Sequence, residues 1–171
     1  MPDPTAFNAA RALAAIERIA SQPEKFRTLL KGLGAEAFSR TYREGGWDVG
    51  QIVHHVADSH LHSYLRCKYA LCETNPVIHP YEENDWVLTP DCDPEAVDEA
   101  LALLDALHRK WTRLFRGLDE AGWSRSFHHP GSGKDYRLYQ QVEIYAWHGD
   151  RHLAQAAMAL GRDAWLAAEE P

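Results

Sequence analysis

The chain has 171 residues, 45% hydrophobic and 25% charged, with a formal net charge of −7. This apolar content excludes disorder as the main state, and the length suffices for a core without disulfides or a structural metal. No basic stripe and no apolar run of spanning length is visible, which argues against nucleic acid and membrane as partners; Asp3 and Glu17 near the N-terminus predict no secretory leader.

A first helix is predicted from Thr5 to about Gly32, with Phe7, Ala10, Leu13, Ile16 and Ile19 at helical spacing. Pro23 interrupts it, so it is read as two short helices or one kinked helix. Asp48, after Gly45-Gly46-Trp47, is the expected N-cap of a long second helix from Val49 to about Glu73. Thr74 to Cys92 breaks the pattern with three X-Pro steps. A loop of that length suits a crossover between two parallel helices, or a cover over a site. Asp93-Pro94-Glu95 starts a third helix, which runs to about Leu118. Residues 119–136 carry the turn cluster His129-Pro130-Gly131-Ser132-Gly133, and the last helix runs from about Leu138 to Leu160, ended by Gly161. With almost no strand signal, the expectation is a single all-α domain over residues 1–171: a four-helix bundle with a long crossover between helices two and three.

Three cysteines, Cys67, Cys72 and Cys92, form no CxxC and fit a reducing cytoplasm, where they act as small apolar residues. Histidine is the unusual residue, with 10 in the chain against roughly four for typical composition. His148 and His152 are four apart on the last helix, on a stripe shared with Val142 and Tyr145, so their rings stack on an inward face. Two such imidazoles can chelate one ion; the plain alternative is a pair of capping or surface histidines. Gly149, between them, costs about 1 kcal/mol against alanine and marks a place where another helix or a ligand comes close, unless it is tolerated variation. On helix two, His54 and His55 point about 100° apart, and His55 and His62 lie roughly 10.5 Å apart along the axis, so that helix offers one histidine to a shared site. Asp58 is either an acceptor orienting one of those rings or a solvated acid. Two histidines from one helix and one from another make a three-nitrogen site with an open fourth position, the pattern of catalytic zinc.

Gly45-Gly46-Trp47, Val53-His54-His55-Val56-Ala57-Asp58-Ser59-His60 and Tyr145-Ala146-Trp147-His148-Gly149-Asp150-Arg151-His152 resemble the DinB/YfiT family, and Tyr64-Leu65-Arg66-Cys67-Lys68 and Leu107-His108-Arg109-Lys110-Trp111-Thr112 strengthen the likeness. The match runs from about Thr41 to Leu160. The resemblance implies one divalent ion, zinc or nickel, held by His55, His148 and His152; counting eight residues from Trp47 selects His55 over His54. It implies a metal-dependent hydrolase or a thiol S-transferase using bacillithiol, and more distant relatives isomerise maleylpyruvate with mycothiol. It also implies a homodimer.

The leading expectation is a cytoplasmic metalloenzyme that activates a low-molecular-weight thiol and transfers it to an electrophile. A metal-dependent hydrolase is the alternative, and a non-enzymatic metal-binding stress protein the third reading. No general base stands out; Asp58 and Glu143 are the weak catalytic candidates, with Asp150 the other nearby carboxylate. Arg66 and Arg109, with Lys68 and Lys110, would recognise carboxylates of a thiol cofactor such as a malate moiety, or are solvated charges. Trp47 is expected to pack at the bundle end, and Trp86 over the site mouth or a dimer contact. His79, His128 and His129 are read as surface loop residues.

Overall fold

A computed structural model describes residues 1–163. Four long helices make the bundle: α1 (Ala9–Leu30), α3 (Val49–Cys72), α5 (Val97–Arg116) and α7 (Leu138–Ala159). Three single-turn helices punctuate the connections: α2 (Ala35–Phe38), α4 (Glu83–Trp86) and α6 (Glu120–Trp123). None of the described helices is long and apolar enough to cross a membrane.

Local sequence accounts for the helix ends. Asn8 caps α1 by accepting from the Arg11 amide at 2.9 Å. Asp48 and Gln51 form a reciprocal capping box at the start of α3, at 2.8 and 3.1 Å. Asp93 caps a 3₁₀ turn over Pro94–Ala96 that leads into α5. The first helix is one continuous element with Pro23 inside it. An interior proline costs a helix about 3 kcal/mol. Ile16, Ile19, Phe26 and Leu29 are buried on both sides of it, and that packing holds the two halves together.

Each long helix packs on two others: α1 and α3 both touch α5 and α7 and sit diagonally opposite each other. The pairings give the directions. His54 near the start of α3 meets Asp93 just before α5, and His60 meets His108 further along, so α3 and α5 run parallel. His55 meets His148 while Ser63 meets Gln141, so α3 and α7 run antiparallel. A parallel pair needs a connection that returns the full length of a helix, and residues 73–96 supply that crossover.

The all-α expectation needs one addition. Residues expected as a turn cluster form a hairpin, β1 (Ser126–His129) against β2 (Lys134–Arg137), closed by a turn with Gly133 at φ 65°. Pro76 and Ile78 hydrogen-bond to His128, tying the crossover to β1.

The core divides into two apolar clusters, one around Trp111, Phe115 and Leu138, the other around Phe26, Ile52 and Leu104. Between them every long helix contributes polar residues or a glycine: Gln22 on α1, Ser59 and His60 on α3, His108 on α5, Gly149 and His152 on α7. The cysteines are free; Cys67 and Cys92 are buried and Cys72 is exposed. Burial pushes the Cys67 thiol up to about 12, so it stays protonated.

Candidate metal centre

The Asp48–Gln51 capping box starts α3, and the packing of α3 on α7 turns His55 toward that helix. His148 and His152, one turn apart on α7, have ring centroids 4.4 Å apart. The antiparallel packing of α3 on α7 brings His55 Nε2 to 3.2 Å from His148 Nε2. One nitrogen from each of His55, His148 and His152 lies within 4.8 Å of the other two, a group able to hold a metal ion.

The donor set fits such an ion. Bonds of about 2.0–2.1 Å to a tetrahedral zinc put neighbouring ligand nitrogens about 3.3 Å apart. The spacing of His55 Nε2 and His148 Nε2 matches that edge. The rings are also in the ligand form. Burial, then the proximity of the His152 imidazole, lowers His55 to about 3. Burial lowers His152 to about 4, and burial followed by His152 and His55 holds His148 well below the ordinary value. At neutral pH the rings are uncharged and offer lone pairs.

Trp47 lies over the cluster, its ring 4.5 Å from His55 and stacked near His152 at 6.1 Å. It is a wall of the site as well as a packing residue at the start of α3. A cavity of about 690 Å³ opens above the three rings. Ser59, Arg66, Tyr81, Tyr145 and Trp147 line it. Its charged lining is cationic, with Arg43, Arg66 and Arg151 against the single carboxylate Glu83 among the described residues. Arg66 is buried, with 8% exposure, and its Nε has no hydrogen-bond partner among the described residues. Among the described residues it makes no ion pair. The crossover forms one wall: Tyr81 stacks flat on His62 at 4.2 Å, and Trp86 packs against both.

Other expected site residues fall elsewhere. His54 bonds the Asp93 carbonyl at 3.1 Å and takes no part in the cluster. Asp58 does not line the cavity; its carboxyl is pushed up by burial and then by Asp91. Glu143 is paired with Arg11 across α1 and α7, and Asp150 with Arg18. Arg109 is paired with Asp105 on α5 and lines a separate groove with Arg113 and Arg116, so it is not a neighbour of the cluster. His129 lies on β1, half-buried in the cavity wall, whereas His79 is exposed. His60 and His108 sit behind the cluster in the core, a placement that no local pattern announces.

The profile of the DinB superfamily matches residues 18–156. The chain belongs to the DinB superfamily. A protein of Geobacillus kaustophilus named "Putative metal-dependent hydrolase" is 36% identical over 162 residues, covering 95% of this chain and 91% of the relative. One of the same name from Bacillus mycoides is 40% identical, covering 88% and 86%. YfiT from Bacillus subtilis, described as "a probable metal-dependent hydrolase with an unusual four-helix bundle topology", superposes with a TM-score of 0.91 at 32% identity, covering 96% of this chain and 94% of that one. A mycothiol-dependent maleylpyruvate isomerase shares the fold at 14% identity and a TM-score of 0.67, over 85% of this chain and 60% of its own. In this DinB-superfamily chain the three-histidine cluster forms part of the cavity lining.

Proposed function

We propose that the chain is a metal-dependent S-transferase for a carboxylate-bearing low-molecular-weight thiol of the bacillithiol type. The observation that carries this reading is Arg66: a buried guanidinium in the cavity wall with no carboxylate partner among the described residues. Burying a cation unpaired is costly, and an incoming carboxylate offsets that cost through a two-pronged pair. A divalent ion, zinc or nickel, held by His55, His148 and His152 would lower the pKa of a thiol so that it reacts at neutral pH. Trp47 and Trp147 give the thiol an apolar wall, and the Ser59 and Tyr145 hydroxyls, 3.5 Å apart, offer polar contacts. The thiol proton passes to solvent, sulfur forms a bond to the electrophilic carbon, and the leaving group departs with the electrons of the bond that breaks.

Hydrolysis is the second reading, favoured by the names of the Geobacillus and Bacillus relatives. It calls for a base within reach of the attacking water. Glu83, on the crossover, is the carboxylate in the described lining. The deciding experiment mixes metal-loaded protein with a bimane electrophile and bacillithiol, cysteine or glutathione, with chelated protein as control. Metal-dependent thiol consumption supports transfer. No acceleration with any thiol, alongside turnover of an ester or amide panel, replaces transfer with hydrolysis.

A further inference from the structure

His60 and His108 lie in the core, 0% and 1% exposed, and neither belongs to the cluster above. They join it to α1 by a line of hydrogen bonds. The line begins at Pro23. A proline has no N–H, so the carbonyl four residues earlier in the helix, that of Ile19, loses its helical donor. His108 Nδ1 stands 2.6 Å from that oxygen. His60 Nδ1 is 2.8 Å from His108 Nε2, and His60 Nε2 is 3.1 Å from His148 Nδ1.

The chemistry gives this line a direction. A carbonyl oxygen only accepts, so His108 Nδ1 carries the proton. A neutral imidazole has one N–H, which leaves a lone pair on His108 Nε2. His60 must then donate from Nδ1 and accept at Nε2. His148 must donate from Nδ1, and its Nε2 keeps a lone pair facing His55 Nε2. In the opposite direction His148 would carry its proton on Nε2, where it would block an ion.

We propose that the Ile19 carbonyl, freed by Pro23, sets the tautomer of His148 through His108 and His60. His60 and His108 are thus positioning residues for the metal centre: they touch no substrate and act by keeping one ligand nitrogen deprotonated and aimed. This rests on the reading that the cluster holds an ion. Groups that orient a ligand histidine typically change metal affinity 10–100-fold when removed.

The test uses the full chain, ¹⁵N-labelled at histidine and stripped of metal, at pH 7.5. Two-bond ¹H–¹⁵N couplings report which nitrogen of each ring is protonated. The expected result is Nδ1–H on His60, His108 and His148; Nε2–H on His148 overturns the proposal whatever the metal affinity. In Pro23→Ala the restored amide competes for the Ile19 carbonyl, and Nε2–H forms should become visible on His108 and His148. An equal mixture would halve the affinity for zinc, since apparent affinity scales with the competent fraction. Unchanged tautomers in Pro23→Ala remove Pro23 from the proposal's chain of cause. His60→Phe, checked for native helicity, should bind zinc or nickel 10–100-fold more weakly by chelator competition. Wild-type affinity there overturns the positioning role. If the wild type shows the expected tautomers and binds no ion, the metal reading fails while the hydrogen-bond polarity stands.

Discussion

Gln22 of α1 occupies the space that Gly149 of α7 leaves by having no side chain. The Gln22 amide is fully buried and donates to the Ala146 carbonyl at 2.9 Å and to Asp150 at 3.0 Å. A Cβ at position 149 would overlap its carboxamide. The glycine between two cluster histidines therefore serves the approach of α1. Alanine would gain about 1 kcal/mol of helix propensity. It would also displace a buried amide from its partners, at about 1–3 kcal/mol for each group left unpaired. Gly149→Ala should lower stability by about 1–3 kcal/mol in urea titrations. In a Gln22→Ala background the same change should be neutral or stabilising. Equal losses in both backgrounds would show that the overlap is not the cause.

Removing any one ring of the cluster should remove the ion. His55→Ala, His148→Ala and His152→Ala are each expected to lose stoichiometric zinc or nickel by elemental analysis after dialysis. His54→Ala should keep it, because His54 is engaged with Asp93 away from the cluster. Retention by His55→Ala with loss by His54→Ala would move the site by one residue.

Acid should destabilise the metal-free protein early. His55 is lowered to about 3, and His108 and His152 to about 4, each chiefly by burial. Unfolded, each ring titrates near its ordinary value of 6.5. The stability these neutral rings contribute is therefore full above that value. It is lost as pH falls toward the folded values, because only the unfolded chain takes up the protons. Each ring adds about 1.4 kcal/mol per pH unit in that window. Urea midpoints of chelated protein should drop steeply from pH 7 to pH 5, and saturating metal, which binds neutral imidazole, should move the drop to lower pH. A flat profile between pH 7 and pH 5 would mean the rings are already charged in the fold.

Two arginines that look alike in sequence should part in kinetics. Arg66→Met is expected to raise KM for a carboxylate-bearing thiol at least tenfold, in line with loss of a charge-assisted pair of about 1.5–3 kcal/mol. Arg109→Ala should leave both constants unchanged, since Arg109 faces a different groove. A thiol lacking the carboxylate should show no difference between wild type and Arg66→Met.

The four long helices and the crossover were legible because apolar periodicity and Pro or Gly punctuation are local signals. His148 and His152 could be placed together from their spacing on one helix. Tertiary relations were not legible. Arg66 and Arg109 carry the same charge, and only packing decides that one enters the cavity wall while the other pairs with Asp105. The hairpin escaped because its strands have four residues each and Phe127 is its one fully buried side chain. His60 and His108 are 48 residues apart and meet only through the parallel packing of α3 on α5.

The crossover is clamped at two places: at its beginning, where residues 76–78 bond to His128, and at its end, where the Asp93 carbonyl meets His54. Between the clamps run residues 79–92, with Tyr81 and Glu83 in the cavity wall. A segment held at both ends can bow outward but cannot peel away. The stack of Tyr81 on His62 adds a further hold close to the first clamp. The crossover thus borders the cavity as a strap fixed at both ends, and a change of its length would have to be absorbed between two points that the bundle itself holds apart.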